Sequence, residues 1–82
     1  SSGGLTETSV DVRLLLKKAL LHDATSFILV HNHPSGNLRP SRSDEELTVR
    51  VNRASQTVNI RMVDHVIITD GDYYSFAENG KI

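Results

Sequence analysis

The sequence contains no cysteine. A disulfide framework and every thiolate zinc site are therefore excluded, and histidine and carboxylate are left as its metal chemistry. An excess of either charge is also missing: nine Lys plus Arg stand against ten Asp plus Glu, a formal net charge of -1. That balance gives no global basic field of the kind that signals non-specific nucleic-acid binding, so any DNA role has to come from local features. Long apolar runs are absent as well. None approaches the roughly 20 residues of a membrane span, and Ser1-Ser2-Gly3-Gly4 has neither the cationic region nor the apolar core of a signal peptide. The expectation is a soluble, cytoplasmic protein with no membrane partner. At 82 residues the chain makes one small domain, which by size scaling buries only about 60% of its unfolded surface. A metal or a partner would add to its stability.

What is present reads as helix, strand, helix, strand, strand. Residues 1–9, rich in Ser, Gly and Thr, are expected to form a loop. From Val10 to His22 the apolar residues Val12, Leu15, Leu16, Ala19 and Leu20 follow the helical period, with Thr8 or Ser9 as N-cap. Ser26 to Val30 is a short continuous apolar run, which predicts a central strand covered on both faces. Pro34-Ser35-Gly36-Asn37 and Arg39-Pro40-Ser41 carry turn residues until a second helix begins near Ser43. Its core stripe is expected at Leu47, Val51, Ala54 and Val58. Ile60 to Thr69 reads as a strand, Asp70-Gly71 as a hairpin turn, and Asp72 to Phe76 as the returning strand. The alternation predicts an α/β fold, a mixed sheet flanked by helices with a parallel crossover between the first two strands.

The chemistry gathers directly after the first strand, in His31-Asn32-His33-Pro34-Ser35-Gly36 followed by Ser41 and Asp44. Residues two apart on an extended chain point to the same side, so His31 and His33 can present nitrogens to one ion. The Pro and Gly that follow form a turn able to bring Asp44 back as a third ligand. Two His and one carboxylate leave a fourth tetrahedral position for water, as catalytic zinc requires. A plainer reading stands beside this one: Ser41 with Asp44, or Ser43 with Glu46, fits the capping box that starts a helix. The two are compatible, because an Asp held in the first helical turn can still point at an ion. His22 fits a favourable interaction with the end of the first helix. His65 is open as core, surface or a support behind the metal ligands.

Taken together, His31-x-His33, the seven residues from Pro34 to Pro40, and Ser41-x-x-Asp44 resemble the JAMM signature of the JAB/MPN metalloprotein superfamily. The resemblance extends to its RadC branch through Ala24, Phe27-Ile28-Leu29-Val30, His31-Asn32-His33-Pro34-Ser35-Gly36, Pro40-Ser41, Leu47-Thr48, Asp64-His65-Val66-Ile67-Ile68 and Ser75. Val10-Asp11-Val12-Arg13 adds to it, so that it covers nearly the whole chain. The letters His-Asn-His do not make an HNH nuclease, whose residues are spread over a zinc-finger-like hairpin and helix.

The resemblance implies a cytidine-deaminase-like α/β fold over one domain, residues 1–82, carrying one Zn2+. His31, His33 and Asp44 would be its protein ligands, a water the fourth, and Ser41 would stabilise the oxyanion of a tetrahedral intermediate. In active relatives the bond cleaved is an amide or isopeptide, so a peptide or protein is the implied substrate. The superfamily's general-base glutamate sits on a strand well before the His pair. Glu7 and Asp11 do not match that position, and Glu45 and Glu46 read as first-turn acids favourable to the helix dipole. The expectation is a RadC-like domain lacking its leading strands, truncated at its N-terminal side. Two functional readings follow: a zinc-dependent metallohydrolase, or a non-catalytic metal-binding or protein-interaction module associated with DNA repair. For DNA itself the local features are Arg39, Arg42, Arg50, Arg53 and Arg61, which are equally a solvated face. An exposed sheet edge where a leading strand would pair predicts a homodimer.

Overall fold

The computed structural model describes residues 10–82, so the loop expected over 1–9 and the caps proposed at Thr8 and Ser9 lie outside the described residues. The first helix, α1 (Val12–Leu21), is capped instead by Asp11, whose carboxylate accepts from the Arg13 N–H at 2.9 Å. A short acidic side chain just outside the first turn does what a hydroxyl would have done. Val12, Leu15, Leu16 and Ala19 are half-buried, while Leu20 is exposed. The helix lies against α2 (Arg42–Thr57), and His22 forms its C-cap.

Strand β1 (Ser26–Asn32) runs parallel to β2 (Arg61–Thr69), with α2 between them in sequence, and β3 (Asp72–Ser75) returns antiparallel to β2. The sheet order is β1-β2-β3, the expected mixed sheet with a parallel step. At the hairpin Thr69 pairs with Asp72, and Gly71 supplies a φ of 87° that a side chain would resist. Phe76 lies just past β3, yet it belongs to the core with Val51, Ile60, Met62 and Ile67. Asp64 anchors this end of the molecule. Its carboxylate accepts from the Ser75 hydroxyl and from the Ala77 and His65 N–H groups.

Two expectations need correction. Among the described residues β1 is an edge strand, not a central one, and its exposure alternates along its length. Phe27, Leu29 and His31 face α2, whereas Ile28 and Val30 on the other face stay 56% and 57% exposed. An apolar run reads the same whether one face or both find cover. The buried stripe of α2 holds the expected Val51 but otherwise differs: Asp44, Thr48 and Ser55 are buried with it, while Leu47 and Ala54 are half-buried and Val58 is exposed. Its polar members lose little by burial because they bond to their own helix. The Ser55 hydroxyl donates to the Val51 carbonyl at 2.7 Å and that of Thr48 to the Asp44 carbonyl at 2.8 Å, the i to i-4 pattern of buried Ser and Thr.

Candidate metal centre

The His pair comes from the end of β1 continuing two residues past its apolar run. His31 lies opposite Ile67 in register, on the face toward α2. His33 remains tied to the sheet through its N–H, which donates to the Ile68 carbonyl at 3.0 Å. Both imidazoles are thereby set on one side of an extended segment. The chain then turns. The Gly36 N–H donates to the His33 carbonyl at 3.0 Å, with Gly36 at φ 82°. The Asn37 carbonyl comes to rest 2.8 Å from Nδ1 of His33.

The loop ends in the cap of α2, and Ser41 is that cap. Its hydroxyl oxygen accepts from the Asp44 N–H at 3.1 Å, and Asp44 Oδ2 accepts from the Ser41 N–H at 2.8 Å. The capping reading and the ligand reading therefore hold together, because the box pins the Asp44 carboxylate where it faces both histidines. His31 Nδ1 lies 3.0 Å from Asp44 Oδ1, and His33 Nε2 lies 3.1 Å from Asp44 Oδ2. One ligand atom from each of the three residues falls within 4.8 Å of the others.

The alignment of these atoms decides what the cluster suits. A carbonyl only accepts, so the bond to Asn37 puts a proton on His33 Nδ1 and leaves Nε2 of the neutral ring with a lone pair. That lone pair and a carboxylate oxygen then face each other across 3.1 Å, an arrangement that a shared cation makes favourable. Nδ1 of His31 is buried without a hydrogen-bond partner despite its distance to Asp44. Two imidazoles and one carboxylate, each still offering a lone pair, are the donor set of a three-ligand zinc site. The side chains of His31 and His33 are 23% and 16% exposed, which keeps one side of the cluster accessible. Asp44 is anionic at neutral pH. Burial pushes its carboxyl up, but the Ser41 hydrogen bonds and the neighbouring imidazoles outweigh that and hold it below the usual carboxylate range.

Behind the cluster sits His65, whose position the sequence left open. It is fully buried. Nδ1 lies 2.6 Å from the Thr48 hydroxyl oxygen, and Nε2 has no partner. Burial above all pushes its pKa down to about 4, helped by His31 and opposed by Asp44 and Asp64. Neither Thr48 nor Asn37 was singled out as a site residue. A backbone carbonyl leaves no trace in composition, and a helical Thr is an ordinary residue until its partner across the sheet is known. Glu45 and Glu46 point away from the cluster, paired with Lys81 at 2.8 Å and Arg42 at 3.4 Å.

A parallel strand-helix-strand unit thus sets a His-x-His pair at a strand end beside an Asp in the capping box of the following helix, a cluster that could hold a metal ion. The family model described as "RadC-like JAB domain" matches residues 1–81, and the chain belongs to that family. It is 53% identical over 83 residues to a UPF0758 protein of Porphyromonas gingivalis, covering 100% of this chain and 37% of that relative. The UPF0758 protein of Nitrosococcus oceani is 50% identical over 80 residues, covering 98% and 36%. That of Flavobacterium johnsoniae is 46% identical over 80 residues, covering 98% and 35%. The chain thus spans a little over a third of the length of the curated relatives it matches.

Proposed function

We propose that this domain is a JAMM-type, zinc-dependent hydrolase centre acting on amide or isopeptide bonds of a peptide or protein. The observation that carries it is the convergence of His31, His33 and Asp44, with the lone pair of His33 turned on a carboxylate and one side of the cluster accessible. The order of strands and helices supports a cytidine-deaminase-like fold around it. When bound, zinc supplies Lewis acidity and a water acidic enough to react near neutral pH.

The chain's own residues supply the rest. Asp44 contributes a negative charge that the Ser41 N–H holds in place. The Asn37 carbonyl keeps the His33 proton on Nδ1, so that Nε2 remains an electron-pair donor, the usual role of a backbone carbonyl behind a ligating histidine. The Ser41 hydroxyl uses its oxygen to cap α2. Its hydrogen is the donor we assign to the carbonyl oxygen of the substrate as negative charge grows there. No glutamate among the described residues joins the cluster as a base. A second reading, which the RadC resemblance suggests, is a module that binds metal and a protein partner without turnover in a DNA-repair setting.

Elemental analysis of protein purified at neutral pH with zinc offered is expected to give one zinc per chain, and none in His33→Ala. A cleavage rate on an isopeptide-linked model substrate that disappears in His33→Ala supports hydrolysis. Bound zinc without any rate supports the second reading, and a wild-type chain without zinc overturns both.

A further inference from the structure

Each candidate ligand leans on a second group. For the His33 ring that group is the Asn37 carbonyl, and for the Asp44 carboxylate it is the Ser41 N–H. What supports the His31 ring and the backbone of Asp44 is a single residue on β2. The His65 ring is the middle of a column, nearly parallel to Phe76 at 4.5 Å and 4° on one side and to His31 at 6.0 Å and 9° on the other. Its Nδ1 meets the Thr48 hydroxyl, which also reaches the Asp44 carbonyl one helical turn back.

Packing alone does not call for an imidazole at this position. A phenyl or aliphatic side chain would fill the space between Phe76 and α2 without leaving Nε2 buried and unpartnered, and such a group is destabilising. The polar atom that is used, Nδ1, spans the joint between β2 and α2. His31 and His33 are carried by the sheet and Asp44 by the helix, so sliding that joint would spread the ligand set. The His65–Thr48 bond resists this slide at the turn that carries Asp44. The ring column also limits the orientations open to His31 before any ion arrives, which lowers the ordering cost of binding.

We propose that His65, acting through the Thr48 hydroxyl and the His31 ring, is a positioning residue that sets the affinity and geometry of the metal centre. The proposal rests on the reading of His31, His33 and Asp44 as a zinc site. It is tested by titrating the full chain with zinc alone and with cobalt(II) alone, the latter followed by its visible absorption. Thr48→Val keeps the shape of the side chain and removes the hydroxyl, and His65→Phe keeps the ring column and removes the bond. Both are expected to weaken zinc about 10- to 100-fold and to change the cobalt spectrum. Thr48→Ser restores the hydroxyl and is expected to bind like wild type.

Melting curves of the metal-free variants accompany the titrations. If His65→Phe does not fold, the contrast between Thr48→Val and Thr48→Ser carries the test. Wild-type affinity and an unchanged cobalt spectrum in a folded Thr48→Val overturn the proposal. A wild-type chain that takes up neither ion overturns the zinc reading itself, and this one with it.

Discussion

Burial holds the His65 imidazole neutral, with His31 adding to the effect and two carboxylates opposing it, so that the ring takes a proton only near pH 4 instead of 6.5. In the unfolded chain the same ring protonates near its ordinary value. Between these two pH values the unfolded state binds more protons than the native state, so stability falls as the pH falls. The contribution is complete above about pH 6.5 and is lost as the pH falls through about 4, roughly 3 kcal/mol in all. The depressed carboxyls Asp44 and Asp64 act in a lower window, since their contribution begins to fade only near the ordinary carboxylate range. Urea midpoints measured with a chelator present should therefore drop between pH 7 and pH 4.5, and His65→Phe should flatten that drop. An equal slope in the variant would mean that another group carries it.

At the scale of the element, the N-terminus of α2 serves as both a helix start and the mount of a ligand. Removing the Ser41 hydroxyl orphans the Asp44 N–H. Ser41→Ala is expected to cost about 1 kcal/mol, and Ser41→Gly only a few tenths. Denaturant unfolding of the metal-free chain checks this, and a Ser41→Ala protein as stable as wild type would remove the capping role. The sequence narrowed this cap to two pairs, Ser41 with Asp44 and Ser43 with Glu46, because its chemistry is local, a hydroxyl and an acid three residues apart, and the path of the chain selects the first. The Asp70-Gly71 turn and the His31-x-His33 spacing were legible for the same reason. The buried stripe of α2 was legible only in part: apolar counting finds Val51 and favours Leu47, Ala54 and Val58 beside it, whereas Thr48 and Ser55 go inside by bonding to carbonyls one turn back in the helix. Nor did the sequence separate Asn37 from any other turn residue, since only the path of the loop puts its carbonyl under His33.

For the molecule as a whole, the sheet is covered by α2 on one face, while among the described residues the other face exposes apolar side chains. Ile28, Val30, Ile68 and Tyr73 are 56%, 57%, 38% and 54% exposed, and the strand register makes them neighbours with Val66 among them. This face meets the outer edge of β1, whose backbone groups have no strand partner among the described residues. An unpaired edge beside an apolar face is the usual template for strand addition, and a chain that spans 37% of a longer relative has that surface available to other polypeptide. Studied alone, these 82 residues are expected to supply the cover from a second copy, pairing edge to edge along β1. Sedimentation should then show a concentration-dependent dimer. Val30→Lys puts a charge on both the face and the edge strand, the device that blunts such edges in monomeric sheets, and should shift the population to monomer. It should leave zinc uptake intact, because His31 and Leu29 lie on the opposite face. A single 9.1 kDa species at every concentration would show that β1 does not recruit a second copy.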